Sequence, residues 1–505
     1  MATPSEKLAE SLSVLKEIQD RGQIAIPSKE LTRTHRERLL RNGFVQKVIK
    51  GWYIPCRPDE RAGDSTAWYA SFWQFCSSYL DARFGDEWCL SPEQSIVLHT
   101  GNWTVPKQLL VRTKKPGNNL ITLPHGTYLL DIRADLPLRG DSATMQGLHV
   151  YTVPAALIAC APGIYRHNPT DMRTALSLTG DASDLLARLL DGGHSTIAGR
   201  LAGAFRNTGR ENIANEILQT MKAAGYTVRE NDPFNAPSPV AFTRREPSPY
   251  VSRIRLMWET MRKPVLDHFP EPPGLPKDKP AYLKQVEDIY TSDAYHSLSI
   301  EGYQVSRELI ERVKAGSWNP DGSEHDRNHR DALAARGYWQ AFQAVENSIE
   351  KILGDENPGL TARNDHGIWY RELFAPSVAA GILKPSDLAG YRNGPVYIRK
   401  SMHVPPDKEA VRDLMSAYFE LLEEESAGQV RVVLGHFFFV YIHPYMDGNG
   451  RIGRFLMNTM MASGGYPWTV IPVEQRDEYM QALESASVDQ DIVPFTKFVA
   501  RIASG

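Results

Sequence analysis

The most apolar run of the chain, Val430 to Ile442, stops at His443-Pro444, and Gly448-Asn449-Gly450 follows within a few residues. The run is too short to cross a bilayer and contains Gly435 and His436, so it reads as a buried helix of a globular domain. A second helical pattern starts near Arg451 and continues from Ile452 to Ser463. Two helices joined by this loop are the strongest constraint on the fold, and the signals around them, from Tyr250 onward, are mainly helical.

The loop runs His443-Pro444-Tyr445-Met446-Asp447-Gly448-Asn449-Gly450-Arg451-Ile452-Gly453-Arg454. Its two glycines let successive backbone N–H groups form a concave nest, and the following helix N-terminus adds the positive end of its dipole. That combination is a phosphate cradle. Arg451 and Arg454 are three apart on the first helical turn and can clamp phosphate oxygens together. Asp447 is a hard oxygen ligand suited to Mg²⁺ between two phosphates. His443 can accept a proton from an attacking hydroxyl near neutral pH. Singly, such a loop is an ordinary turn and such a histidine is structural. Together, in this order, they assemble a base, a metal ligand, a nest and a clamp.

The chain has 505 residues, enough for two or three domains. It is 42% hydrophobic and 23% charged with a formal net charge of -3, the composition of a soluble globular protein. Its four cysteines (Cys56, Cys76, Cys89, Cys160) are scattered, which argues for a reducing compartment and against a disulfide framework or structural zinc. Met1 to Leu15 lacks the apolar stretch of a signal peptide, so the expectation is a cytoplasmic protein without a membrane span. The domain organisation expected is 5–58, 66–226, a linker at 227–249 rich in Pro, Asn and Arg, and 250–504. Strand-like runs stand at Gln108 to Arg112, Leu120 to Leu123 and Leu148 to Val153, with helices from Met172 to Ala224. In the last block, helices are expected at Leu283 to Tyr295 and onward, Asp326 to Lys351 and Asp407 to Glu425. A hairpin is expected within Gly390 to Val404.

The loop resembles the signature of the Fic family, His-Pro-Phe-x-(Asp/Glu)-Gly-Asn-Gly-Arg-x-x-Arg, departing from it only at Tyr445. The resemblance covers about Tyr250 to Ser504 and is closest to the branch that transfers AMP. It implies the Fic helical fold with a β-hairpin flap, and ATP as substrate with Mg²⁺ as cofactor. It makes His443 the general base on a target protein's Ser, Thr or Tyr hydroxyl and Asp447 the Mg²⁺ ligand. Gly448, Asn449, Gly450, Arg451 and Arg454 become the nucleotide-binding set. Upstream, Ser297-Leu298-Ser299-Ile300-Glu301-Gly302 resembles the family's inhibitory motif, on a helix near 288–302. Ser297 and Glu301 share a helix face, and a carboxylate delivered to Arg454 would occupy the place of the γ-phosphate. Inhibition would then act within the chain or across a homodimer. Val396, Tyr397 and Ile398 match the flap on which a target segment adds as an extra strand. Removal of AMP, or transfer of UMP, is the alternative chemistry.

The front of the chain has the order helix, short helix, basic helix from Thr34 to Asn42, then a hairpin turning at Lys50-Gly51. That order suggests a winged helix-turn-helix followed by a small α+β domain. Arg33, Arg36, Arg41, Lys47 and Lys50 would meet double-stranded DNA, although a basic helix on a protein-binding module fits the same pattern. Leu31 to Pro55 is similar to the front of AbiEi-type antitoxins and related regulators, with a weaker likeness at Ser91 to Ser95 and Val153-Pro154. A second reading follows: a DNA-binding, antitoxin-like regulator whose Fic domain is a sensor or silenced module.

Overall fold

The computed structural model describes residues 3–58, 64–117, 120–317 and 330–504. The chain forms two units, one of 1–253 plus Tyr397–Val404 and one of 254–396 plus 405–505.

The first unit begins with α1 (Pro4–Asp20), β1 (Ile26–Pro27), a 3₁₀ turn, α2 (Arg33–Arg41), β2 (Val45–Ile49) and β3 (Trp52–Pro55). Thr32 caps α2 by accepting from His35 N–H, so the basic helix starts at Arg33, and the short helix expected before it is the 3₁₀ turn Ser28–Glu30. The strands pair antiparallel in the order β1-β3-β2 around the turn at Lys50-Gly51, where Gly51 takes a positive φ. Leu15, Ile18, Leu31, Leu39 and Val45 close a small core.

Next come α3 (Thr66–Phe84), β4 (Trp88–Leu90), α4 (Pro92–His99), β5 (Gln108–Thr113), β6 (Leu120–Thr122), β7 (Tyr128–Arg133), β8 (Ser142–Met145) and β9 (Leu148–Tyr151). Their main sheet has the order β4-β5-β7-β6, with β5 and β7 parallel and the other pairs antiparallel. Burial alternates along β5, and Leu109 and Val111 enter a core shared with Trp68, Phe72 and Trp88. Six helices follow: α5 (Val153–Ala159), α6 (Ile164–His167), α7 (Pro169–Leu178), α8 (Ser183–Asp191), α9 (Ser195–Asn207) and α10 (Glu211–Ala223). Residues 227–249, expected as a linker, are irregular up to the next helix, but they lie strapped along these helices. Asn231 N–H donates to Gly199 O, Phe242 N–H to Thr208 O, and Phe234 enters the core.

The second unit is mainly α: α11 (Pro249–His268), α12 (Lys279–Ile300), α13 (Arg307–Lys314), α14 (Arg330–Leu353), α15 (Pro358–Ala379), α16 (Val411–Glu424), α17 (Gly428–Ile442), α18 (Asn449–Gly464), α19 (Arg476–Glu484) and α20 (Val493–Ala503). The Asp326 start expected for α14 lies outside the described residues, whereas its Lys351 end falls within the helix. α17 is buried nearly all round, as its apolar run requires, and packs on α18, also buried along its length. α14 and α15 cross closely because Gly337 leaves room for the Leu373 carbonyl.

One expectation is corrected. Residues 390–404 contain no strand, so the flap is a loop and not a hairpin. Gly390, Gly394 and Pro395 interrupt the ladder positions. In the first unit, Val105 N–H donates to Met402 O of this loop at 2.9 Å.

Two buried histidines tie the helical unit together as neutral rings. His436 on α17 reaches Gly453 O at 2.8 Å and Tyr479 Oη at 2.7 Å, while His366 on α15 meets Tyr391 Oη at 3.0 Å. Burial pushes both down to about 4. The unfolded chain takes up these protons below the ordinary value of 6.5 and the folded one only near 4. Stability present above 6.5 is therefore lost as pH falls from there through about 4. Urea midpoints measured across that range should fall steadily with pH, and His436→Asn should make the slope shallower.

Candidate active site

His443 ends α17 in the left-handed conformation, with φ 54° and ψ 60°. For a residue with a Cβ that conformation costs about 1–2 kcal/mol. The turn is held by His443 N–H donating to Phe439 O at 3.0 Å, and by Arg392 Nε donating to His443 O at 2.8 Å. His443 Nδ1 lies 3.0 Å from Val440 O, so Nδ1 carries the proton and Nε2 keeps its lone pair. Burial pushes the imidazole down to about 4, which leaves it neutral at physiological pH.

The rest of the loop is fixed from within. Asn449 Nδ2 donates to Tyr445 O at 2.8 Å, and Tyr445 N–H donates to Asn449 Oδ1 at 2.9 Å. The Asn449 side chain is therefore a latch across the loop, which leaves the nest to backbone groups. Tyr445 is buried and stacks on Tyr370 with centroids 3.9 Å apart and planes at 4°, so the larger ring is accommodated where the signature has Phe. Gly448 begins α18 with φ 80°, and a side chain there would strike Phe374. Asp447 is largely exposed, accepts from Gly448 N–H at 2.6 Å and stands 3.4 Å from Arg451 Nη2.

Both arginines of the clamp are buried, and each keeps a donor without a partner: Arg451 Nε and Arg454 Nη1. Leaving a buried donor unpaired costs about 1–3 kcal/mol, so these groups are poised for an acceptor. Arg451 is sandwiched between the rings of Phe374 and Tyr303, 5.0 and 5.3 Å from its guanidinium carbon. Arg454 is met from α12. Its Nε donates to Ser297 Oγ at 2.8 Å, and its Nη2 donates to Ser297 O at 3.1 Å and to Glu301 Oε1 at 2.7 Å. Glu301 Oε1 and Arg454 Nη1 both stand over Gly450, where any side chain would strike them. Burial alone would raise the Glu301 carboxyl, but Arg454 and Arg451 outweigh it and hold the group below its ordinary range. Gly302 follows with φ 91° and turns the chain away from the helix.

The structure thus gathers His443, Asp447, Gly448, Asn449, Gly450, Arg451, Arg454, Ser297, Glu301 and Gly302 in one place. Of the flap residues, Val396 belongs to this unit, and Tyr397 and Ile398 group with the first. In the first unit Arg41, Lys47 and Lys50 are exposed, Arg36 lies over the Tyr53 ring, and Arg33 pairs with Glu37 at 2.7 Å. Sequence reasoning missed Tyr303 and Phe374. Tyr303 directly follows Gly302 and was within reach of the motif, whereas nothing in the sequence links Phe374 on α15 to the loop.

Residues 369–461, which carry this loop and its clamp, match the Fic/DOC family. The chain resembles the Protein adenylyltransferase Fic of Drosophila virilis, 30% identical over 224 residues, or 44% of this chain and 42% of that protein. The Drosophila melanogaster protein of that name is 30% identical over 225 residues, again 44% of this chain and 42% of that one. The chain spans less than half the length of these curated relatives. A solved structure of Fic-1 from C. elegans covers 66% of this chain and 89% of its own at 21% identity and a TM-score of 0.38.

Removing Glu301 takes the counter-ion from a buried guanidinium, a change that typically costs about 3 kcal/mol. Glu301→Gly should therefore melt several degrees below wild type. Inorganic tripolyphosphate should restore more of the melting temperature in the variant than it adds to wild type, as read by scanning calorimetry.

Proposed function

We propose that the chain is an autoinhibited protein adenylyltransferase that moves AMP from ATP to a Ser, Thr or Tyr hydroxyl of a target protein, and of itself. The observation that supports it best is the pair of unpartnered guanidinium donors of Arg451 and Arg454 beside a histidine whose Nε2 is free to accept. Phosphate oxygens would complete those donors, and the backbone of Gly448, Asn449 and Gly450 would cradle them. The target oxygen attacks the α-phosphorus as His443 Nε2 takes its proton, a P–O bond forms, and the bond to pyrophosphate breaks. The exposed Asp447 carboxylate, a hard oxygen donor, would hold a Mg²⁺ ion. That ion would supply charge neutralisation on the phosphates.

Glu301 is the brake. Its carboxylate sits where Arg454 would hold the γ-phosphate, so ATP entering beside it aligns its α-phosphate poorly. The contact is made within one chain, so inhibition does not need a homodimer. The same carboxylate could direct a water in AMP removal. The front unit would bind DNA or a protein partner through Arg36, Arg41, Lys47 and Lys50 in the cytoplasm, with Arg33 partly neutralised by Glu37. The regulator reading, in which the Fic domain is a silenced sensor, is disfavoured because His443, Asp447 and Arg454 are all in place.

Purified wild type, Glu301→Gly and His443→Ala should be incubated with α- or γ-labelled ATP, Mg²⁺ and a cell lysate. Label should reach protein from the α-position only, rise tenfold or more in Glu301→Gly and vanish in His443→Ala. No α-label in any variant, with tight and salt-sensitive DNA binding, would establish the regulator reading instead.

A further inference from the structure

Glu301 stands at the end of α12, where a helix leaves its last carbonyls without intrahelical donors. Each carbonyl from Ser297 to Ile300 has found a partner. Leu298 O accepts from Glu301 N–H and Tyr303 N–H, both at 3.1 Å, and Ser299 O accepts from Gly302 N–H at 3.0 Å. Arginines meet the other two: Arg454 Nη2 donates to Ser297 O at 3.1 Å, and Arg476 Nε donates to Ile300 O at 2.9 Å. The charge of Arg476 also suits the negative end of the helix dipole. Asp477, its neighbour in sequence, stands 3.5 Å from Arg476 Nη1, too long for a firm bond.

Arg476 caps α12 from a fixed base. It opens α19, and one turn later Tyr479 is buried with its Oη 2.7 Å from His436 Nε2 on α17. The 3₁₀ turn just before it, Val473–Gln475, grips α12 at a second point, where Val473 N–H donates to His296 Nδ1 at 3.1 Å. From α20, Arg501 Nη2 donates to Gln475 Oε1 at 3.3 Å and to Glu478 Oε1 at 2.8 Å. The two grips on α12 therefore fall at His296 and Ile300. Each directly precedes a residue whose side chain bonds Arg454: Ser297 and Glu301. Beyond Glu301 the chain turns off at Gly302, so the last turn gains no support from a continuing helix.

We propose that Arg476 is a positioning residue for the brake: by capping Ile300 O it keeps the last turn of α12 closed and the Glu301 carboxylate on Arg454. This rests on the brake reading above. Without the cap the turn frays, Glu301 leaves the clamp more of the time, and the Arg454 guanidinium opens to a phosphate. Methionine keeps an unbranched stem and loses every donor. Lysine keeps a charged donor, and a single bond to one carbonyl does not need the planar fork.

Wild type, Glu301→Gly, Arg476→Met, Arg476→Lys and the double variant Glu301→Gly/Arg476→Met, all of the full chain, are compared with α-labelled ATP, Mg²⁺ and a cell lysate. Labelling of protein should rise about fivefold or more in Arg476→Met, the scale of one lost charge-assisted bond, and clearly less in Arg476→Lys. The double variant should match Glu301→Gly, because a brake already removed cannot be loosened further. With Glu301→Gly raised, labelling in Arg476→Met at or below that of wild type overturns the proposal. So does a rise in Arg476→Lys equal to that in Arg476→Met. Labelling in the double variant well below that of Glu301→Gly would place Arg476 in the transfer itself and overturns it too. Should Glu301→Gly label no faster than wild type, the brake reading fails, and amide hydrogen exchange decides the positioning role. Faster exchange at Gly302 and Tyr303 in Arg476→Met, with α17 unchanged, supports it. Exchange like the wild type's at both amides, or faster exchange in α17 as well, overturns it.

Discussion

The guanidinium of Arg454 is the point on which the second unit turns. It is buried on the second turn of α18, and its bonds to Ser297 and Glu301 fasten the end of α12 to that helix. A buried arginine is tolerated only with its donors satisfied or its charge balanced. In this state α12 balances the charge and occupies Nε and Nη2, leaving Nη1 open. The same requirement makes the arrangement exchangeable: a ligand rich in oxygen and negative charge can offer what Glu301 offers. On the proposed reading, autoinhibition and substrate binding would be two solutions to one electrostatic demand.

Around that point the backbone carries most of the specificity. Gly448 opens the helix in a left-handed turn, the Asn449 side chain latches the loop to itself, and His443 closes the preceding helix in a second left-handed turn. These constraints leave the imidazole in one tautomer with one nitrogen free. The chemistry assigned to the site needs little reorganisation of the protein, which is where positioning and charge stabilisation gain their effect.

The catalytic loop was legible because its information is local. Twelve consecutive residues carry the turn, the nest, Asp447 and the two arginines, and the contact with Arg454 comes from a six-residue helix end. Phe374 was not legible, because it reaches Arg451 from α15, a helix distant in the chain whose apolar residues mark no single face. In the first unit, β5, β6 and β9 stood out as apolar runs. β7 did not, because its core position 131 is an aspartate, held there by Arg83 from α3 at 2.8 Å and by the Gly117 N–H at 2.6 Å. α3 itself was hidden by composition. Trp68, Phe72, Trp73 and Phe75 face a wide core on several sides, and aromatic density of that kind has no helical period to read.

The segment Tyr397–Val404 has a practical consequence for anyone dissecting the molecule. It lies in sequence between two stretches of the second unit but belongs by its contacts to the first. There Arg399 pairs with the buried Asp64 at 3.0 Å, Lys400 N–H donates to Thr66 Oγ1, and Met402 and Val404 pack on the aromatic core. The chain therefore passes from one unit to the other three times, and no single cut separates them. A fragment starting at Ile254 would carry two apolar side chains and a cation whose partners were left behind. A fragment ending at Arg253 would bare the buried carboxylate of Asp64. Boundaries drawn from sequence similarity alone would divide this protein where its own packing does not.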